Sequence, residues 1–181
     1  MLDDDALSHA AASLRPEIWA GTAYRHVSPA YEALSAEGAR RDGGRWNPAG
    51  LPALYLGTSD DCAFEEFLRM VEQQGGEPAD YPRLLHSLRV ESLSVADLTA
   101  QGVLAHVGLT LADATGPDHA PTQRVGAAIF AVGHQGLLVP SAAGAGLLVI
   151  AAFPDRFAAG TVTVTVTVDL HAWAAPRLRP I

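Results

Sequence analysis

At 181 residues and 18.9 kDa the chain suits one compact domain, and 49% hydrophobic against 18% charged residues excludes a disordered segment. Twenty Asp plus Glu against twelve Arg, with no Lys at all, leave a formal charge of −8. This balance argues against a broad nucleic-acid surface and excludes both Schiff-base lysine chemistry and a P-loop lysine. Cys62 is the only cysteine, so an internal disulfide and a multi-cysteine metal site are excluded too. The start, Met1 to Asp5, is acidic where a secretory leader is basic, and no apolar run approaches the ~20 residues of a membrane span. The expectation is a cytoplasmic protein that engages neither membrane nor nucleic acid directly.

In chain order, the pattern predicts a short helix from Asp5 to Leu14 ended by Pro16, a strand from Trp19 to Arg25, and a loop or broken helix from Ser28 to Arg41. Gly43, Gly44, Asn47, Pro48, Gly50 and Pro52 make residues 42–52 a loop, after which Leu54, Tyr55 and Leu56 form a short buried strand. Thr58 or Ser59 is placed to cap a helix over Asp60–Gln74, with Asp60 and Asp61 in its first turn. Phe64, Phe67, Leu68 and Val71 give that helix one apolar face. Glu66 falls roughly 150° from the centre of this stripe at 100° per residue, so it points away from the local core.

Strands over Leu84–Val90 and Leu93–Leu98 follow, then irregular structure around a short helix from Thr99 to Pro121. Thr122 caps a further helix, carrying Val125, Ala128, Ile129 and Val132 at helical spacing and stopped at Gly136. Three strands close the chain, over Leu137–Val139, Leu147–Phe153 and Thr161–Leu170. In the last, strict Thr/Val alternation through residues 161–168 places all four valines on one face, as a half-buried antiparallel strand requires. The sum is an α+β domain, a mostly antiparallel sheet with flanking helices.

The chain holds no GxGxxG after a strand, no GxxxxGK[ST], no HExxH and no GxSxG, and its seven histidines show no close pair at metal spacing; no metal site is expected. What remains is a set of polar residues at strand ends and in glycine-rich loops. Tyr24-Arg25, the run Gly43 to Pro48, Tyr55, Glu66 and Val139-Pro140-Ser141 are far apart in sequence yet can converge on one cleft. Arginine forks suit a pyrophosphate, Tyr and Trp faces suit a nucleobase or nicotinamide ring, and one carboxylate can hold ribose hydroxyls and stabilise an oxocarbenium ion. Each residue also has a plain structural alternative: a solvated arginine, a core-filling Trp46 or Tyr55, a turn-capping Ser141, an exposed Glu66. The residues by themselves reach an α+β domain with a phosphate-binding cleft and no further.

The run Leu34 to Pro48, containing Arg40-Arg41-Asp42-Gly43-Gly44-Arg45-Trp46-Asn47-Pro48, followed by Ala53-Leu54-Tyr55-Leu56, resembles the RES-domain toxins of bacterial toxin–antitoxin pairs. In order, the Arg, Glu and Ser that name the family correspond to Arg45, Glu66 and Ser141, the last within Gly136-Leu137-Leu138-Val139-Pro140-Ser141. Glu66 is preferred to its neighbour Glu65 because it lies three residues after Ala63. Thr122-Gln123 at the start of a helix fits as well. The match spans roughly Tyr24 to Phe153, which implies a variable N-terminal segment over residues 1–20 and a single catalytic domain over 21–181.

The resemblance implies a fold similar to the ADP-ribosyltransferases, an NAD-consuming activity and a cognate antitoxin with an Xre-type DNA-binding domain. The ADP-ribosyl group would pass to inorganic phosphate, to water or to a protein. On this reading Arg45, Glu66 and Ser141 are catalytic, and Tyr24, Arg25, Trp46, Asn47 and Tyr55 bind NAD. NAD enters as substrate, phosphate as a possible co-substrate, and no other cofactor is implied. The rivals are a mono-ADP-ribosyltransferase acting on a protein and a silent module that binds only a nucleotide or the antitoxin.

Overall fold

Two long strands organise the molecule. In the computed structural model, which describes residues 2–177, β1 (Pro16–Val27) and β3 (Leu84–Asp97) pair antiparallel from Pro16 opposite Ala96 to Val27 opposite Leu84. The two strands expected over Leu84–Val90 and Leu93–Leu98 are thus one. Their junction is a register shift opposite Trp19 to Gly21, where β3 bends without breaking. β1 also pairs with β2 (Leu54–Gly57), β2 with β5 (Leu148–Ala152), β5 with β4 (Gly136–Pro140), and β4 returns to β3. That last pairing is parallel, and it closes five strands into a ring. The fold is α+β with flanking helices, as expected, but its sheet is mixed and barrel-like, which corrects the expected mostly antiparallel sheet.

β6 (Val162–Asp169) sits on the remaining edge of β3, and here a second expectation fails. Val166 and Val168 lie opposite Ser87 and Leu85, whereas Val164 and Val162 lie opposite Leu88 and Val90. The step from Ser87 to Leu88 is matched by two steps on β6, so Thr165 is bulged and the valines divide between the two faces. Val162 is buried, while Val164, Val166 and Val168 are exposed. The alternation forms a strand but not a half-buried one.

Alternation works as expected inside the ring. Ile150 and Ala152 of β5 meet Leu54, Leu56, Leu88 and Val95 in the interior, while Val149, Ala151 and Phe153 face outward onto helices. On that outer side α1 (Asp4–Ser13) packs against α6 (Ala120–Ala131), burying Leu7, Ala10 and Ala11, and Asp4 pairs with Arg124. Three more helices are short: α2 (Glu37–Asp42), α4 (Val103–His106) and α5 (Leu111–Thr115), the last opened by a Thr110/Asp113 capping box. α6 begins at Ala120 and ends before Gly133, whose φ of +100° stops it; the expected stop, Gly136, instead opens β4. A side chain at Gly136 would crowd the Ala151 backbone.

α3 (Asp60–Gln74) has the expected limits. Ser59 is its cap, accepting from the Cys62 amide, and Gly75 ends it. Phe64, Phe67 and Val71 pack with Leu85 and with Leu170 and Ala174 of α7 (Leu170–Ala174) in a separate core. Among the described residues no helix is long and apolar enough to cross a membrane. The last four residues assigned to the domain, 178–181, lie outside the described residues.

Candidate functional site

α3 turns its apolar stripe to β1, β3 and α7, and its opposite side overhangs a cleft of about 580 Å³. Seven of the eight residues singled out from sequence line this cleft: Tyr24, Arg25, Arg45, Trp46, Tyr55, Glu66 and Ser141. Asn47 does not. It is fully buried; its Nδ2 donates to the carbonyls of Ala39 at 2.8 Å and Leu51 at 2.7 Å, and its Oδ1 accepts from the Tyr55 hydroxyl at 2.7 Å.

The arginine loop has a single backbone bridge, Gly44 to Asn47, and side chains hold the rest of it. The Tyr55 hydroxyl accepts from the Trp46 amide at 2.8 Å while donating to Asn47, and burial pushes its pKa upward. Thr122 donates to the Arg45 carbonyl at 2.5 Å, and Gln123 Nε2 donates to the Gly44 carbonyl at 2.9 Å. Gly126 completes the seat. A Cβ there would overlap the Trp46 carbonyl oxygen, so only glycine lets α6 approach this closely. Gly43, at φ +76°, supplies the left-handed turn into the loop.

The three arginines of the cleft differ in what they hold. Arg25 donates from Nη1 to the Ala33 carbonyl at 2.6 Å and from Nη2 to the Ser35 carbonyl at 2.8 Å; burial pushes its pKa down to about 10. Arg45 donates from Nη1 to the Gly116 carbonyl at 2.5 Å, while its Nη2 is buried without a partner. Arg69, half-buried, lines the cleft one helical turn after Glu66. Among the described residues none of the three is paired with a carboxylate. An acidic chain has therefore gathered unpaired cations in one cleft.

On the α3 wall, one turn before Arg69, Glu66 Oε1 accepts from Ser141 Oγ at 2.5 Å, and Ser141 Oγ accepts from the Ala143 amide at 2.9 Å. This fixes the carboxylate rotamer through a buried hydroxyl. Glu65 is exposed and lies outside the cleft. Glu66 lies off the apolar stripe, as its spacing predicts, and the end of β4 covers its side of the helix and leaves it half-buried. One turn earlier, the Cys62 thiol donates to the Leu148 carbonyl at 3.2 Å; burial, with the Glu66 charge adding, pushes its pKa up to about 11.

Arg69, His119 and His26 are among the cleft residues that the sequence does not single out. Arg69 was legible in principle, because a residue three after Glu66 shares its helix face. His119, the residue before α6, has no periodic signal. His26 also lines the cleft; its Nδ1 is buried without a partner, and burial, then the charges of Arg83 and Arg25, push its pKa down to about 4. Among the described residues no three His, Cys, Asp or Glu side chains cluster as metal ligands would. Chemically, the arrangement offers an oriented carboxylate facing guanidiniums, suited to a ligand with both phosphate and developing positive charge.

Comparison with known proteins agrees. The family model described as "RES domain" matches residues 19–174. A protein of Mycobacterium tuberculosis named NAD(+) phosphorylase MbcT is 38% identical over 156 residues, covering 84% of this chain and 83% of the relative. A Pseudomonas putida protein named Toxin Res is 39% identical over 74 residues, 39% of this chain and 49% of its own. Among solved structures, a chain of the M. tuberculosis MbcT–MbcA toxin–antitoxin complex superposes with a TM-score of 0.87 at 34% identity, covering 97% of both chains. This chain belongs to the RES-domain family.

Proposed function

We propose that the protein is an NAD-degrading toxin that cleaves the nicotinamide–ribose bond by phosphorolysis, on a fold of the ADP-ribosyltransferase type. The observation that carries this reading is the serine-oriented carboxylate of Glu66 in a cleft with three arginines free of carboxylate partners. The name of the M. tuberculosis relative supports the same reaction. The bond from the ribose C1′ to the nicotinamide nitrogen breaks with its electron pair leaving on nitrogen, so the departing ring becomes neutral and needs no proton. A phosphate oxygen then bonds to C1′, giving nicotinamide and ADP-ribose 1″-phosphate.

Glu66 stabilises the sugar cation between these two bonds, and Ser141 keeps its carboxylate aimed. Arg45 offers its free Nη2 to the pyrophosphate or ribose side, and Arg25 adds charge while tying down the 33–35 loop. Tyr24, Trp46 and the Tyr55 ring shape the nicotinamide pocket. Asn47 serves the substrate indirectly by holding Trp46 and Tyr55 in place. Residues 21–181 act as the catalytic domain, in the cytoplasm, under control of an Xre-type antitoxin, consistent with the toxin–antitoxin complex of the structural neighbour.

Chromatography of NAD incubated with and without inorganic phosphate tests this. Phosphate-dependent ADP-ribose 1″-phosphate is the expected product. Free ADP-ribose in both reactions would replace phosphate by water, label on a macromolecule would make the protein a transferase, and unchanged NAD would refute the reading. In cells, expression without antitoxin is expected to stop growth and lower NAD together.

A further inference from the structure

Phosphorolysis requires a second anion beside the first. The attacking oxygen must come within about 3–3.5 Å of the anomeric carbon, and that carbon sits beside the Glu66 carboxylate. A phosphate there meets like charge unless cations lie between. Arg25 cannot supply its fork, because both Nη groups are engaged by loop carbonyls.

We propose that Arg69 and His119 form the subsite for the phosphate acceptor, with the Arg45 guanidinium between it and the pyrophosphate of NAD. Arg69 lies one turn from Glu66 on the same side of α3, so an anion on its guanidinium is adjacent to the carbon that Glu66 stabilises. Turning the Gln73 amide so that its oxygen faces the guanidinium gives Arg69 a neutral partner at 3.1 Å, and among the described residues no carboxylate pairs with it. His119 reaches the same cleft from the start of α6, whose first turn is bonded to the arginine loop through Thr122. The three groups sense one another. After burial, the charges of Arg45 and Arg69 lower the His119 pKa, and Arg69 lowers that of Arg45.

The arrangement separates two anions by wall. NAD's pyrophosphate lies on the β1 and arginine-loop side, and the acceptor lies between α3 and the start of α6, with Arg45 between them. Neither Arg69 nor His119 belongs to the Arg–Glu–Ser set of the family name, so this assignment goes beyond that set. It rests on the phosphorolytic reading above.

The test is steady-state kinetics with phosphate and NAD varied separately, alongside direct titration of inorganic phosphate by calorimetry. Arg69→Gln should raise KM for phosphate tenfold or more while KM for NAD changes less than threefold. Arg69→Lys should recover part of the loss, and His119→Asn should raise KM for phosphate by a smaller factor. Unfolding midpoints confirm that each variant is folded, and calorimetry should show Arg69→Gln binding phosphate at least tenfold more weakly.

An unchanged phosphate KM in Arg69→Gln overturns the subsite, and so does a KM for NAD that rises by the same factor, which would place NAD's own pyrophosphate on Arg69. Phosphate binding that is lost in Arg69→Gln, in a wild-type protein that leaves NAD intact, sinks phosphorolysis but leaves the anion site standing. No phosphate binding to wild-type protein overturns the site itself.

Discussion

Residues 43–55 and strand β6 are opposites. The first looks irregular in sequence, yet the Asn47 and Tyr55 side chains, the Trp46 amide and the Gly44 and Arg45 carbonyls all have specific partners, among themselves and on α6. The second is the most regular sequence in the chain, yet one bulged residue divides its valines and leaves three of them exposed. Alternation specifies only that a strand forms. A hydrogen-bonded side chain in a buried place specifies one geometry, and a site needs that.

The contrast predicts large effects on the cleft side and small ones on β6. Glu66→Gln keeps size and removes charge, so turnover should fall about 10²-fold or more with NAD binding little changed. Glu65→Gln, exposed next door, should leave both alone; inactivation by Glu65→Gln instead would move the catalytic carboxylate one residue. Gly126→Ala forces a Cβ against the Trp46 carbonyl and should cost about 3 kcal/mol in urea unfolding, with loss of NAD binding as the loop shifts. A fully stable Gly126→Ala would show that α6 is not seated on the loop.

His26 extends the comparison to pH. The folded protein protonates it only near pH 4, whereas the unfolded chain protonates it near its ordinary 6.5, so its contribution is intact above pH 6.5 and is lost as pH falls toward 4. The loss should reach about 2 kcal/mol at pH 5, and His26→Gln should reduce the wild-type decline by that amount. If the variant declines as steeply, the imidazole is not the cause.

Tyr55→Phe strands the Trp46 amide and Asn47 Oδ1, and should cost about 1–2 kcal/mol with a weakened NAD affinity. At the other extreme, Val166→Thr should fall within about 0.5 kcal/mol of wild type by thermal unfolding. A larger loss there would mean that the exposed face of β6 is covered by something.

Legibility in the sequence followed the same division. α3, its Ser59 cap and Glu66 off its stripe could be read from spacing, because a helix obeys one period over 15 residues. The environment on Glu66's side could not, since the end of β4 reaches it from 75 residues away. Asn47 read as a ligand because a polar residue in a glycine-rich loop carries no mark distinguishing a scaffold from a contact. The ring closure was illegible because the β3–β4 parallel pairing involves three residues per strand, too few to alter either pattern. The β6 bulge leaves no trace in strict Thr/Val alternation.

Cys62 carries one last consequence. Its sulfur lies a single turn from Glu66, yet with a pKa near 11 and its proton committed to Leu148 only a trace is thiolate at neutral pH. Peroxides and alkylating electrophiles attack the thiolate, so they should modify the folded protein slowly. The one thiol of the chain is therefore not a switch through which oxidants reach the cleft.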